Sequence, residues 1–300
     1  MSKSCSILIP TAGTIEHTSR LIDSLRPELE STHLRPKVVI IDNHKVLEPN
    51  PELVDLANSL NGAGSYLKYP IGGRSAALNF GVSHSNGDII VTLDDDVVVE
   101  RGWFKAIESF FLETDYDFMQ GRILPHPKDN LASYEYPMNP VKDKGDDRGE
   151  LDQLTGCNIA GKREWFEETP YAEHLGVGAS GAGEDNQFYR DVKKAGARIG
   201  YEPGAVAYHP VIEARANRKA FLRSHYVCGQ SSCHYRRFNI PRVLSNVAYN
   251  WAAYRFLSMA SMQGPRFQKH EGALYKNLGR LAGLVELHFE SGRENSISTH

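Results

Sequence analysis

No stretch of this 300-residue chain approaches the ~20 consecutive apolar residues that a membrane-spanning helix needs. The start, Met1 to Pro10, lacks the layout of a secretory leader, so the chain is expected to begin and stay in the cytosol. Cysteine is scarce. Cys5, Cys157, Cys228 and Cys233 are scattered and outline no disulfide framework, which fits a reducing compartment. There is no internal repeat, no low-complexity tract, no Walker-type phosphate loop and no serine nucleophile elbow, which removes solenoids, P-loop enzymes and serine hydrolases.

Charge is present but unevenly placed. From Val211 onward there are 13 Lys+Arg against 5 Asp+Glu, a net +8, while residues 1–210 carry 21 against 32, a net −11. An acidic catalytic part followed by a basic segment facing an anionic surface or acceptor is the expected division. The boundaries are 1–210, with a donor half to about residue 100 and an acceptor half beyond, and 211–300 as a helical extension.

Apolar runs and turn residues alternate along the first part. Ser6 to Pro10 and Lys37 to Asp42 read as buried strands, Ser65 to Tyr69 as a third, and Asp88 to Leu93 as a fourth. Helical spacing falls over 14–30, 51–60 and 75–83 between them. Strands alternating with helices predict an α/β fold with a mostly parallel sheet, whose ligands bind beyond the carboxyl ends of the strands. Residues 125–153, rich in Pro, Asp, Lys and Gly, read as a long loop or insertion. Gly156 to Ala160 reads as a short strand, Glu184 to Ala195 as a helix stopped by Gly196, and Arg198 to Tyr201 and Ala205 to Tyr208 as two further strands.

The fourth strand delivers Asp94, Asp95 and Asp96. Three adjacent carboxylates at a strand exit repel one another unless donors or a cation hold them. Strand alternation would point Asp94 and Asp96 together and Asp95 away. A solvated acidic turn and a divalent-metal site are the two readings.

The order of motifs resembles the family 2 glycosyltransferases, inverting nucleotide-sugar enzymes of the GT-A fold. The resemblance covers about residues 4–210. It rests on Ser6 to Thr11, Val39 to Asn43, Gly72 to Gly81, Gly87-Asp88, Leu93 to Asp96, Gly156 to Asn158, Gly183-Glu184-Asp185, and Pro203 with His209.

That resemblance implies a nucleotide-diphosphate sugar donor, weakly favouring a UDP- or dTDP-sugar, held by Pro10, Thr11, Ala12, Asp42, Gly73, Arg74, Asn79, Asp94 and Asp95. Asp42 would meet the base, although Asn43, His44 and Lys45 follow it where Asp-Gly-Ser is commoner. The resemblance gives Asp96 the chief metal role, with Asp94 and His209 beside it and Mn2+ or Mg2+ as the ion; Asp95 could share that role. Asp185 would be the general base, with Glu184 the alternative base or an acceptor-binding group. A helix dipole would lower the pKa of Asp185, while burial would raise it. The acceptor would be a glycan, a lipid-linked sugar or a small molecule. The rivals are a sugar-phosphate nucleotidyltransferase and a GT-A scaffold that binds a nucleotide sugar or a membrane without turnover.

Other signals compete with this reading. Gly176 to Gly181 satisfies G-x-G-x-x-G without a preceding strand and suits a mobile loop better than a dinucleotide site. His225, Cys228, Cys233 and His234 have ligand chemistry in an unusual zinc spacing. Trp103, Phe104, Ile107, Phe110 and Phe111 fall at helical spacing and read as core. The basic 211–300 segment reads as a packed helical subdomain, a dimer surface or a peripheral contact on the inner face of a membrane, and not as a nucleic-acid binder.

Overall fold

A computed structural model describes residues 4–29, 33–131, 134, 136, 141–262 and 264–297, with side chains to residue 288. The chain divides into two compact units. One comprises residues 1–129, 139–179 and 184–210, and the other residues 130–138, 180–183 and 211–300.

The first unit is built on one sheet. Strands β1 (Cys5–Thr11), β2 (Pro36–Asp42), β3 (Gly64–Lys68) and β4 (Ile89–Thr92) pair in parallel in the order β3-β2-β1-β4. β1 is buried throughout and β2 at six of its seven positions, which is why both read as unbroken apolar runs. The chain winds outward from β1 to β3 and then returns to the other side of β1. That reversal opens a crevice at the carboxyl ends of β1 and β4, where α/β sheets take their ligands.

Alternate residues of the strands serve opposite faces. Ile7, Ile9, Val38, Ile40 and Val91 pack with helices α1 (Ile15–Leu25), α2 (Pro51–Asn58) and α4 (Trp103–Glu113). Leu8, Val39, Ile41 and Ile90 pack with α3 (Arg74–Ser83), α5 (Arg163–Glu168) and α6 (Glu184–Ala195). Trp103, Phe104, Ile107 and Phe110 are fully buried core.

Beyond β4 the sheet becomes mixed. β5 (Val98–Val99), β6 (Phe118–Pro125), β7 (Gly149–Glu150), β8 (Ile159–Lys162) and β9 (Ile199–His209) complete it, with β8 antiparallel to β4 and β6, and β9 parallel to β6. Two boundaries differ from the sequence expectation. The strand expected at Gly156 to Ala160 starts at Ile159, because Asn158 takes a left-handed φ of 62° that no strand accommodates. The two strands expected over 198–208 are one, whose register against β6 shifts between Gly121 and Arg122. The described parts of 125–153 are mostly irregular, with Lys142 bridged to Ile123 and Arg148 ion-paired to Glu113 (2.6 Å) and Glu202. Residues 132, 133, 135 and 137–140 of that expected loop lie outside the described residues.

The second unit is helical, with α7 (Arg218–Ser231), α8 (Ile240–Met259) and α9 (Pro265–Ile297). Glu271, fully buried, accepts hydrogen bonds from Arg218 and from the hydroxyl of Tyr136, at 3.1 Å, and ties its pieces together. Among the described residues no helix is long and apolar enough to cross a membrane.

Candidate active site

Thr11, Asp42 and Asp94 to Asp96 lie at or just beyond the carboxyl ends of β1, β2 and β4. Asp94, Asp95 and Asp96 are not part of a strand. β4 stops at Thr92, and Asp95 and Asp96 form a turn. This turn, rather than strand alternation, sends Asp94 and Asp96 one way and Asp95 the other. Asp95 accepts a 2.6 Å hydrogen bond from the Thr11 hydroxyl and so joins the ends of β4 and β1. Burial pushes its carboxyl up to about 6, in spite of the Thr11 bond, and the adjacent Asp96 and Asp94 charges add to the effect.

On the other side of the turn, Asp94, Asp96 and His209 bring one ligand atom each to within 4.8 Å of one another. His209 arrives from far along the chain because β5, immediately after the turn, pairs antiparallel with β9 and sets Val98 opposite Tyr208. Its Nδ1 lies 3.0 Å from the Pro210 carbonyl oxygen. A carbonyl only accepts, so Nδ1 donates, and Nε2 faces Asp96 Oδ1, 3.5 Å away. Asp96 Oδ1 is itself buried and receives no hydrogen bond. An imidazole nitrogen and a buried carboxylate oxygen at this separation, with Asp94 beside them, are placed to share a cation. Burial raises the Asp96 pKa, His209 opposes that and Asp94 adds to it. The donor set of two carboxylates and an imidazole fits Mn2+ or Mg2+.

Arg74, at the first turn of α3, is the hub of the site. Its Nε donates to Asp94 Oδ1 at 3.0 Å and its Nη2 lies 2.9 Å from the same oxygen, Nη1 reaches Asp185 Oδ1 at 3.3 Å and Glu184 at 3.8 Å, and Nη2 donates to the Gly156 carbonyl. Asp185 and Glu184 open α6. Burial drives the Asp185 carboxyl up to about 7; Arg74 pulls it down, Glu184 and Asp94 push it up, and the Gly156 N–H pulls it down. Of the two opposing effects expected at this helix start, burial wins. Three carboxylates, those of Asp94, Glu184 and Asp185, thus surround one guanidinium, an imbalance that favours binding a cation.

Asn158 fixes the segment that carries Gly156. Its Oδ1 accepts from Trp103 Nε1 at 2.8 Å, and its Nδ2 donates to the carbonyls of Arg122 and Ala205 at 3.0 and 2.7 Å. A Cβ on Gly156 would overlap the Asp185 carboxylate.

Asp42 lies in another part of the cleft. Its Oδ1 receives the His44 N–H at 3.1 Å and Lys68 Nζ at 3.0 Å, and its Oδ2 receives the Tyr66 hydroxyl at 2.7 Å. Burial would raise its pKa, but these donors outweigh burial and hold it below the usual carboxylate value. Asp42, His44, Pro49, Asn50 and Lys68 line a cleft of about 390 Å3. Sequence reading missed Tyr66 and Lys68. Their signal was present, since they stand two apart on one strand and the β2/β3 register sets Lys68 opposite Asp42.

The remaining expected residues fall as follows. Pro10 is buried in β1 and Ala12 is exposed just beyond it. Gly73 precedes α3 with φ 88°, and the Arg74 N–H donates to the Val177 carbonyl at 3.1 Å. The glycine loop thereby rests on the start of α3, where a Cβ on Gly178 would come 2.8 Å from Gly73 Cα. Asn79 lies on α3. Its side chain clamps Tyr171 through the backbone N–H and carbonyl, both at 2.9 Å, and Glu173 at 3.0 Å. His225, Cys228, Cys233 and His234 form no metal group among the described residues, and Cys233 Sγ donates instead to the Arg280 carbonyl at 3.3 Å.

The chain is 26% identical to the succinoglycan biosynthesis protein ExoM of Rhizobium meliloti (strain 1021) over 69% of its own length and 70% of that protein. A crystal structure of S. aureus TarS 1-349 in complex with UDP-GlcNAc superposes with a TM-score of 0.56 at 12% identity, covering 93% of this chain and 91% of that one. Against TarS 1-349 in complex with UDP the TM-score is 0.54, and the match spans 75% of this chain and 64% of that one. The mannosyltransferase PcManGT of Pyrobaculum calidifontis, in complex with GDP-Man and Mn2+, gives a TM-score of 0.55 at 14% identity over 99% of this chain and 81% of that one. These likenesses establish a shared GT-A-type fold. The sequence pattern described as Glycosyl transferase family 2 matches residues 6–169, more than half of the chain, and the chain belongs to that family.

Proposed function

We propose that this family-2 glycosyltransferase is metal-dependent and inverting, and that it moves a sugar from a nucleoside-diphosphate donor to an acceptor hydroxyl. The observation that carries the reading is the meeting of Asp94, Asp96 and His209 beside Arg74 and Asp185. Asp94, Asp96 and His209 would hold Mn2+ or Mg2+, which as a Lewis acid stabilises the negative charge that develops on the leaving diphosphate.

Each residue has a distinct task. Asp42, backed by Tyr66 and Lys68, offers a buried carboxylate to the donor's base. Thr11 and Asp95 hold the ends of β1 and β4 in place beneath the diphosphate. Asp185 takes the proton from the acceptor hydroxyl as its oxygen attacks the anomeric carbon opposite the leaving group. A carboxyl with a pKa near 7 suits this task, because it is substantially ionised at neutral pH and still basic enough to accept the proton. Arg74 holds Asp94 and Asp185 in fixed relation. The likeness to ExoM, a succinoglycan biosynthesis protein, favours a glycan or lipid-linked acceptor.

The test is calorimetric titration of the full chain with UDP, GDP, dTDP and CDP, each with and without Mn2+. One nucleotide is expected to bind in a Mn2+-dependent way, with binding lost in Asp96→Ala and kept in Asp185→Asn, which should fail to transfer. No nucleotide binding under any condition would overturn the reading in favour of a scaffold without turnover.

A further inference from the structure

The second unit carries a surface that the sugar-transfer reading leaves unused. From residue 214 to residue 270 the chain has no Asp or Glu, and it has ten Lys+Arg in those 57 residues. Within that stretch lies α8, started by the Asn239 side chain, which accepts from the Arg242 N–H at 3.0 Å, and by Pro241 in its first turn.

One face of α8 is committed to α9. Val243 and Asn250 are buried, the Asn250 side chain meets His270 Nδ1 at 3.0 Å, and the Tyr254 ring lies 5.1 Å from that of Phe267. The rest of its circumference is largely open and rich in apolar side chains, with Arg255 among them and the Tyr249 ring edge-on to His270 at 5.7 Å. Ile240, Leu244, Tyr249, Trp251, Phe256 and Met259 are each more than half exposed, Met259 at 80%. A helix that is buried on one side and apolar on the other has a second partner to meet. Exposed cations stand along it and at its two ends: Arg236 and Arg237 before it, Arg242 and Arg255 on it, Arg266 and Lys269 after it.

We propose that the outer face of α8 is a peripheral membrane-docking surface that lies in the headgroup region of an anionic bilayer. Three observations select that occupant. First, Trp and Tyr with aliphatic side chains, flanked by arginines, match the depth profile of an interface, apolar inward and cationic at the phosphate level. Second, the helix is too polar to span, so it lies on the bilayer rather than crossing it. Third, a second copy of the same face would bring arginine against arginine with no carboxylate in α8 to pair with, which disfavours a symmetric dimer there. Anionic lipid supplies the missing negative charge.

The surface stands independently of sugar transfer, and the test separates the two. Flotation of the full chain is compared on vesicles of phosphatidylcholine alone and of phosphatidylcholine with phosphatidylglycerol. The wild-type chain is expected to float with the anionic vesicles, less so at high salt, and to stay behind with neutral ones. The double variant Trp251→Ser, Phe256→Ser should lose at least about tenfold in vesicle affinity. Arg242→Gln with Arg255→Gln should lose affinity several-fold. Both variants should keep wild-type melting and nucleotide binding, since these side chains are exposed and belong to no site. Absence of flotation, equal flotation on neutral vesicles, or wild-type flotation by the double variant would overturn the proposal. So would a dimer in solution that the double variant dissociates in the absence of vesicle binding.

Discussion

Arg74 Nη1 lies 3.3 Å from Asp185 Oδ1, and the same guanidinium holds Asp94 at 2.9 Å, so one side chain links the acidic turn to the start of α6. Arg74 lowers the Asp185 pKa against the upward push of burial. The base works only when ionised, so transfer should rise with pH through the Asp185 pKa, near 7. Arg74→Gln removes the cation that favours the ionised form, and the rising limb should move to higher pH with a lower plateau. Arg74→Lys should restore part of the shift. A pH profile of kcat/KM checks this, and a limb left in place would show that Arg74 does not tune Asp185.

Gly156 is close enough to Asp185 that a methyl group there must displace the carboxylate. Its backbone is unstrained, so the substitution acts by steric conflict rather than by conformation. Gly156→Ala is therefore expected to lower kcat by about tenfold to a hundredfold, with nucleotide affinity little changed. Steady-state kinetics beside nucleotide calorimetry reads both quantities, and an equal loss in both would place the damage elsewhere.

The parts of the site that were legible in the sequence are those set by local pattern. Unbroken apolar runs mark β1, β2 and β4, and the carboxyl ends of parallel strands identify Thr11, Asp42 and Asp94 to Asp96 as crevice residues. The helix Glu184–Ala195 was readable to the residue, because its acidic start and glycine stop are written in the chain. What depends on tertiary register was not legible. Asp94 and Asp96 do point together, but a turn after Thr92 causes it. Arg74 meets Asp185 across 111 positions of sequence, and no local periodicity encodes that meeting. Asn79 clamps Tyr171 and Glu173, a contact that no local pattern announces.

Tyr66 donates to a buried carboxylate oxygen of Asp42, and its own phenol is pushed up to about 12 by burial and by that bond, so it stays a donor throughout the working range. Tyr66→Phe removes the donor and leaves Asp42 Oδ2 short of a partner, at a cost of about 1–3 kcal/mol. The folded-state pKa of Asp42 lies below its ordinary value, so its contribution to stability is full above the ordinary carboxylate pKa and is lost as pH falls through the folded value. In Tyr66→Phe part of that acid-side loss should vanish. Denaturant unfolding at neutral and acid pH measures it, and a variant as stable as the wild type at neutral pH would remove Tyr66 from the account of Asp42.

His209 contributes the one nitrogen of the candidate metal group, and the Nδ1 bond to the Pro210 carbonyl orients that nitrogen toward Asp96. Removing it leaves two carboxylates that repel each other and hold an ion less well. His209→Ala is expected to weaken Mn2+ binding by at least about tenfold, while the fold, held at that end by the β5/β9 pairing, persists. The preference should shift as well. Without the imidazole the remaining oxygen donors discriminate less between Mn2+ and Mg2+, so the ratio of activities with the two ions should fall toward unity. Calorimetric Mn2+ titration in the presence of nucleotide, paired with rates in each metal, reads both effects. Unchanged Mn2+ affinity in the variant would mean that His209 serves only to position Asp96.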